Sequence, residues 1–233
     1  MNTAISLLTR LFDLLSPRKC PGCGRRLTTA EWPVCDSCLL GMPLTPFLHA
    51  PERNRMARVF WGVVPLERAA ALFFYEAGTE PAMIIHTMKY HGQRQLAEQF
   101  GELLAKRLSA ADFFQDIDAI IPVPLTRQRQ QERGYNQSEY LARGISRVTG
   151  LPVMLHVLRR ELFWGSQTHL SAAERWKNVE DAFRLTDGRE LRGKHVLLVD
   201  DVMTTGATLT ACATALTGIP DIRISVATLG YTR

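Results

Sequence analysis

Long apolar runs are missing from this chain of 233 residues. None approaches the roughly 20 residues that a membrane-spanning helix needs, so the sequence predicts no membrane span. The N-terminus also lacks the basic region and the small-residue cleavage site of a signal peptide. Since nothing else marks export, we expect a cytoplasmic protein. Internal repeats and low-complexity segments are absent too, which excludes an array of repeated units.

The composition is that of an ordinary globular protein, with 46% apolar and 22% charged residues. The length suffices for one good-sized domain and a small module. A net charge of +5 permits contact with phosphate or nucleic acid without demanding it. Residues 1–16 carry apolar side chains at helical spacing. They predict an amphipathic helix that packs on the body of the protein or on a partner.

Cysteine is scarce, but four of the five cysteines form two CxxC pairs. Each pair curls into a knuckle with both sulfurs on one face, and two knuckles complete the tetrahedral geometry of structural zinc. Disulfides would not persist in a reducing cytosol, and a redox CxxC would stand alone beside a βαβ unit. The predicted zinc ligands, in a module over residues 17–48, are Cys20, Cys23, Cys35 and Cys38.

Basic residues surround the first cysteine pair, at Arg18, Lys19, Arg25 and Arg26. Two interpretations stay open for them: contact with a nucleic-acid backbone, or solvation of the surface. Cys212 stands apart from the pairs at a helical position, where a small buried core residue is expected.

The most informative segment runs from Val196 to Thr208. Four apolar residues predict a short strand that is buried on both faces and ends at Asp200 and Asp201. A polar loop with one glycine follows, and then a helix over residues 207–216. Free backbone N–H groups at such a helix start bind anions, usually phosphate, and the acids suit ribose hydroxyls or a hydrated Mg²⁺. A sugar-phosphate pocket is predicted; the alternative is an ordinary strand–turn–helix with acidic residues.

A second loop follows a predicted strand over residues 118–121, which the prolines at 122 and 124 should end. Its arginines, Arg127, Arg129 and Arg133, can grip a pyrophosphate through paired hydrogen bonds, or they form a solvated basic turn. Further predicted elements are a strand over 69–75 and helices from residue 81, over 95–108 and over 138–148. Residues 41–58 hold three prolines and are expected to form a linker.

These motifs carry a resemblance. The segment with the acid pair resembles the phosphoribosyl-pyrophosphate (PRPP) loop of type I phosphoribosyltransferases, in which two acids hold the ribose hydroxyls and a Thr/Gly loop holds the 5′-phosphate. The order Ile121–Leu125, Arg133–Gln137, Gln167–Ser171 and the acid pair, behind a four-cysteine module, resembles the ComF/GntX family. The resemblance implies an α/β type I phosphoribosyltransferase-like fold over residues 59–233, with a mostly parallel central sheet flanked by helices, plus a small zinc-ribbon-like module.

Residue roles follow from the same resemblance. The hydroxyl role falls to Asp200 and Asp201, and pyrophosphate binding to Arg127 and Arg133. A loop over residues 164–177 would close over PRPP, with a cation from Arg175 or Lys177 reaching the leaving group; the alternative for both is an exposed helix face. The implied 5′-phosphate residues are Thr204, Thr205, Gly206, Ala207 and Thr208.

The implied function is binding of PRPP or a related nucleotide, with Mg²⁺, in natural transformation, where members are thought to act on incoming single-stranded DNA together with the uptake machinery. The alternative is an active enzyme that transfers phosphoribose to a small nitrogenous acceptor. One departure bears on this choice: purine-salvage relatives carry an Asp where this chain has Thr204. Without that carboxylate a purine-salvage assignment loses its general acid–base residue.

Overall fold

The computed structural model describes residues 18–90, 92–161 and 182–233. The helix predicted over residues 1–16 and the predicted loop cations Arg175 and Lys177 lie outside the described residues. The helices are α1 Asp36–Leu40, α2 Arg55–Arg58, α3 Glu80–Tyr90, α4 Arg94–Ser109, α5 Arg127–Arg133, α6 Gln137–Thr149 and α7 Ala207–Leu216. The strands are β1 Arg68–Tyr75, β2 Ala119–Pro122, β3 Leu158–Arg160, β4 Phe183–Leu185, β5 His195–Met203 and β6 Arg223–Thr232.

The centre of the described part is a parallel sheet in the order β1-β6-β5-β2. Its inner strands are buried on both faces: Leu197 and Val199 pack on the side of α4 and α6, whereas Val196 and Leu198 pack on the side of α7. Sheets covered on both faces are built from such continuous apolar runs. The predicted α/β class, with a mostly parallel sheet flanked by helices, is confirmed. β3 and β4 form a separate antiparallel pair.

Two predicted strand ends are wrong. β5 does not end at the acid pair but continues to Met203, because pairs such as Asp200 with Thr228 and Met203 with Tyr231 extend its ladder with β6. β2 includes Pro122, one residue beyond the predicted end. Proline is tolerated there because β2 is an edge strand, and the amide of Val123 resumes hydrogen bonding to the carbonyl of Val199 at 2.9 Å.

The helices match the sequence pattern more closely. α7 covers residues 207–216 as predicted, and α4 and α6 extend the predicted ranges by one residue at each end. α4 and α6 cross at very short distance where Gly101 faces the backbone of Leu141, and Gly144 faces that of Glu98. This packing holds the start of α6 over the carboxyl edge of the sheet.

The segment expected to be a linker is packed against β1. The amide of Thr45 donates to the carbonyl of Leu72 at 3.0 Å, and that of Phe74 donates to Pro43 at 2.8 Å. Phe47 is buried among residues of the sheet and α7. Within the described ranges, no helix is both long and apolar enough to span a bilayer.

Candidate functional site

All four strands of the sheet run in the same direction, so their carboxyl ends meet at one edge, where α/β sheets bind ligands. A cavity of about 240 Å³ opens there. Its lining combines the acid pair of β5, Thr204 of the following loop and Thr208 of α7 with side chains from five other segments. The polar and charged lining side chains are Tyr75, Lys89, Arg129, Arg133, Arg160, Asp200, Asp201, Thr204 and Thr208.

The two acids have different surroundings. Asp201 is buried and forms an ion pair with Lys89 of α3, with 3.0 Å between Nζ and Oδ2. Oδ1 of Asp200 accepts hydrogen bonds of 2.9 Å from the Ser138 hydroxyl and from the amide of Asp201. Burial, and then the neighbouring Asp201 charge, raise the pKa of Asp200 to about 7. Asp200 therefore holds its proton far more readily than an ordinary aspartate.

Three arginines complete the charge of the cavity. The Arg133 guanidinium donates to Oε1 of Gln137 at 2.9 Å and lies over the Tyr90 ring, 5.6 Å from its centroid. Arg160 at the end of β3 is largely enclosed, and this burial lowers the pKa of its guanidinium. Together with Arg129 and Lys89 they place four cations around two carboxylates. Such a surplus favours a ligand that carries several negative charges.

The loop between β5 and α7 holds the residues predicted to bind a phosphate. Gly206 adopts φ +84°, and a Cβ there would lie 2.7 Å from side-chain atoms of both Met203 and Val59. Glycine is required by both the backbone conformation and the packing. α7 begins at the next residue, and Thr204 before it and Thr208 in its first turn line the cavity. Amides in the first turn of a helix lack intrahelical acceptors and suit an anion.

Tyr75 reaches the cavity because the strand between β1 and β5 has a glycine beside it. It lies at the end of β1, and β6 separates β1 from β5. In β6 the position between these strands is Gly230, where a Cβ would lie 3.1 Å from the Tyr75 Cβ and 3.2 Å from Cγ2 of Val202. The missing side chain lets Tyr75 and Val202 line the same cavity.

The structure brings most of the predicted site residues together. Asp200, Asp201 and Arg133 share the cavity with Thr204 and Thr208, and the residues between these threonines lie in the same loop. Arg127 instead lines a neighbouring cavity of 570 Å³, which touches the first through Leu125 and Arg160.

Sequence reasoning did not find four members of the site: Tyr75, Lys89, Ser138 and Arg160. Each lies near the end or start of an element at the carboxyl edge of the sheet. That position is the signal that could have indicated them once the strand order was known. None belongs to a short motif with the acids.

The four cysteines of the CxxC pairs form a compact cluster with their sulfur atoms all within 4.8 Å of one another. The first knuckle is closed by hydrogen bonds from the Cys20 amide to the Arg25 carbonyl at 2.7 Å and from the Gly24 amide to the Cys20 carbonyl at 2.8 Å. All five cysteines are free thiols. Four converging sulfurs fit a metal such as zinc, which would cross-link the module from both knuckles.

Comparison with known proteins identifies the class. Residues 92–229 match the phosphoribosyl transferase domain, and this match spans more than half of the chain. The chain belongs to this family.

Relatives narrow the resemblance further. The chain is 28% identical over 214 residues to DNA utilization protein YhgH of Salmonella typhimurium, covering 87% of this chain and 92% of that protein. It is 39% identical over 110 residues to competence protein F of Haemophilus influenzae, covering 46% and 48%. It is 32% identical over 97 residues to competence protein ComFC of Bacillus subtilis, covering 42% and 37%. The predicted membership of the ComF family is confirmed.

Proposed function

We propose that this protein binds PRPP or a related nucleotide in the acid cavity, which is the cavity of about 240 Å³ that Asp200 and Asp201 line, and acts in natural transformation on incoming single-stranded DNA. The observation that carries the ligand assignment is the cavity itself, where an acid pair, two threonines at a helix start and four cations surround one volume. Carboxylates accept hydrogen bonds from sugar hydroxyls, and the loop and cations suit phosphates.

In this proposal each group has a separate task. Asp200 and Asp201 accept from the ribose 2′- and 3′-hydroxyls, and the amides and hydroxyls of residues 204–208 hold the 5′-phosphate. Arg133 and Arg160 face the pyrophosphate. Where Mg²⁺ takes part, it would be coordinated by the oxygens of the pyrophosphate, which are the ligands that it prefers.

Calorimetric titration with PRPP tests the ligand assignment. We expect binding to the unaltered chain and none to a variant that combines Asp200→Asn with Asp201→Asn. Arg133→Ala should weaken binding about tenfold or more, since it removes a charged hydrogen-bond donor from the cavity. Arg127→Ala is the matched control, because that side chain lines the neighbouring cavity instead, and it should change the affinity less than about threefold. Equal losses in both arginine variants would contradict this placement.

The DNA part of the proposal is supported by the names of the relatives, which describe DNA utilization and competence. The zinc module adds basic residues and Trp32, which is 39% exposed, and indole rings stack on unpaired bases. Titration of a fluorescent single-stranded oligonucleotide at low salt should show binding that weakens steeply as salt is added. No binding at low salt would remove this part of the proposal and leave the ligand assignment standing.

A second candidate function is phosphoribosyl transfer to a small nitrogenous acceptor. The observation that favours it is the adjoining cavity of 570 Å³, which shares Leu125 and Arg160 with the acid cavity and offers room for an acceptor. Attack of the acceptor nitrogen on C1 of the ribose would release pyrophosphate. Release of pyrophosphate from PRPP only when an acceptor from a nitrogen-heterocycle panel is present would establish transfer. Binding without release in every case would favour the binding protein.

A further inference from the structure

Lys89 is a cation of the acid cavity to which the proposed function assigns no role. Lys89 extends from the last turn of α3 to the cavity, where its Nζ lies 3.0 Å from Oδ2 of Asp201. The lysine side chain is 23% exposed and that of Asp201 is 12% exposed. A pair this enclosed is screened little by water or salt, so the two charges hold each other firmly.

Both acids therefore already have partners within the protein, and Lys89 balances the charge of Asp201. Oδ1 of Asp200 accepts from Ser138 and from a backbone amide. A hard divalent cation takes oxygen ligands, and here one oxygen of each carboxylate is already engaged by the protein. The arrangement fits ribose hydroxyls, which need only one acceptor each, better than it fits a directly coordinated Mg²⁺.

The wider charge balance points the same way. Around the cavity, four cations face two acids, which leaves a surplus of positive charge. Mg²⁺ normally offsets the charge of a pyrophosphate when it binds next to carboxylates. The Lys89 ammonium is already held at the carboxylates, so it can balance this negative charge before any ligand binds.

We infer that Lys89 is the built-in counter-cation of this site: it shields the phosphates of the bound ligand from Asp201 and lets that ligand bind without Mg²⁺. This inference rests on the proposed function, since it concerns the same ligand in the same cavity. Lys89 acts by holding charge at a fixed place, as a binding residue, and no bond is made or broken in this role.

The test is calorimetry with PRPP as the probe, in saturating Mg²⁺ and in buffer freed of divalent ions by a resin. No chelator is added, so that the cysteine cluster keeps any metal it holds. For the unaltered chain we expect affinities within about threefold of each other in the two buffers. For Lys89→Met we expect a loss of about tenfold or more without Mg²⁺, the usual effect of deleting a charged partner, and a distinctly smaller loss in Mg²⁺, where the metal ion balances part of the charge. Lys89→Arg should restore binding without Mg²⁺.

Lys194→Met is the matched control. Lys194 also pairs with an aspartate, Asp118, but that pair precedes β5 at the opposite end of the sheet. This variant should behave like the unaltered chain in both buffers. Strict dependence of the unaltered chain on Mg²⁺ would overturn the inference, as would an equal loss for Lys89→Met in both buffers. Absence of PRPP binding in both buffers would overturn the proposed function itself and the inference with it.

Discussion

The cysteine cluster and the acid cavity both crowd like groups together, but they balance their charge in opposite ways. The cluster gathers four sulfurs within 4.8 Å of one another from a short stretch of chain, and Arg25 of the same module is bound to Glu31. The cavity places its two acids among four cations that three elements, α3, α5 and β3, deliver. We therefore expect the cluster to depend on an external cation and the cavity to need none.

This difference predicts that the cluster contributes mainly to folding stability and the cavity mainly to ligand binding. The cysteine module shares its hydrophobic cluster with α3 and α4, so the metal would hold a surface that the main domain also uses. The acid cavity, by contrast, is lined mainly by polar and charged side chains at the carboxyl edge of the sheet. We expect changes at the cluster to act mainly on folding, and changes at the cavity to act mainly on ligand affinity.

The largest effect should follow loss of a cysteine ligand. Cys38→Ala removes a buried sulfur from the cluster, and a structural zinc site that loses one ligand loses most of its affinity. We expect the bound zinc to fall from about one ion per chain to almost none, with the unfolding free energy lower by about 5 kcal/mol or more. Metal analysis and thermal melting measure the two quantities.

Cys212→Ala provides the comparison for that variant, because Cys212 is equally buried but lies in α7, away from the cluster. It should keep the metal and lose about 1 kcal/mol through the smaller side chain. Full zinc content in Cys38→Ala would show that the cluster does not depend on the fourth sulfur.

The second effect runs in the opposite direction, toward higher stability. Because burial raises the pKa of Asp200 to about 7 from 3.8, the folded chain retains a proton that the unfolded chain loses as the pH rises. Folding is therefore least favoured above pH 7 and regains stability as the pH falls toward 4. Asp201, Lys89, Arg160 and the Ser138 hydroxyl are among the charged and polar groups that act on this carboxyl.

Asp200→Asn removes the free-energy cost of burying an ionised carboxylate at this position. At pH 8 we expect the ligand-free variant to be more stable than the unaltered chain by about 2 kcal/mol, while its affinity for PRPP falls about a hundredfold. The stability gain should shrink at pH 5 and vanish near pH 4. Melting curves of both proteins at each pH give the difference directly. A variant that is less stable at pH 8 would mean that the carboxylate is well accommodated in its ionised form.

The same comparison explains what the sequence could and could not predict. The four cysteines, the acid pair and the Thr/Gly loop each lie within a short stretch of the sequence, so their residue types and spacing were enough to predict them as candidate sites. Lys89, Arg160 and Tyr75 come from α3, β3 and β1, and only the parallel order β1-β6-β5-β2 brings them to one edge. The end of β5 was misjudged because aspartate is rare in strands; pairing with β6 outweighed that local preference.

The smallest predicted effect tests how the sheet shapes the cavity. Gly230→Ala adds a Cβ that would lie 3.1 Å from the Tyr75 Cβ and 3.2 Å from Val202, both parts of the lining. The strands must separate slightly, and we expect a loss of about 1–2 kcal/mol in unfolding free energy and of about threefold in PRPP affinity. Gly218→Ala is the control, since nothing lies within 4 Å of its added Cβ. If both variants bound PRPP equally well, the missing side chain at Gly230 would matter for packing alone. The position of Tyr75 in the cavity would then not be required for ligand binding.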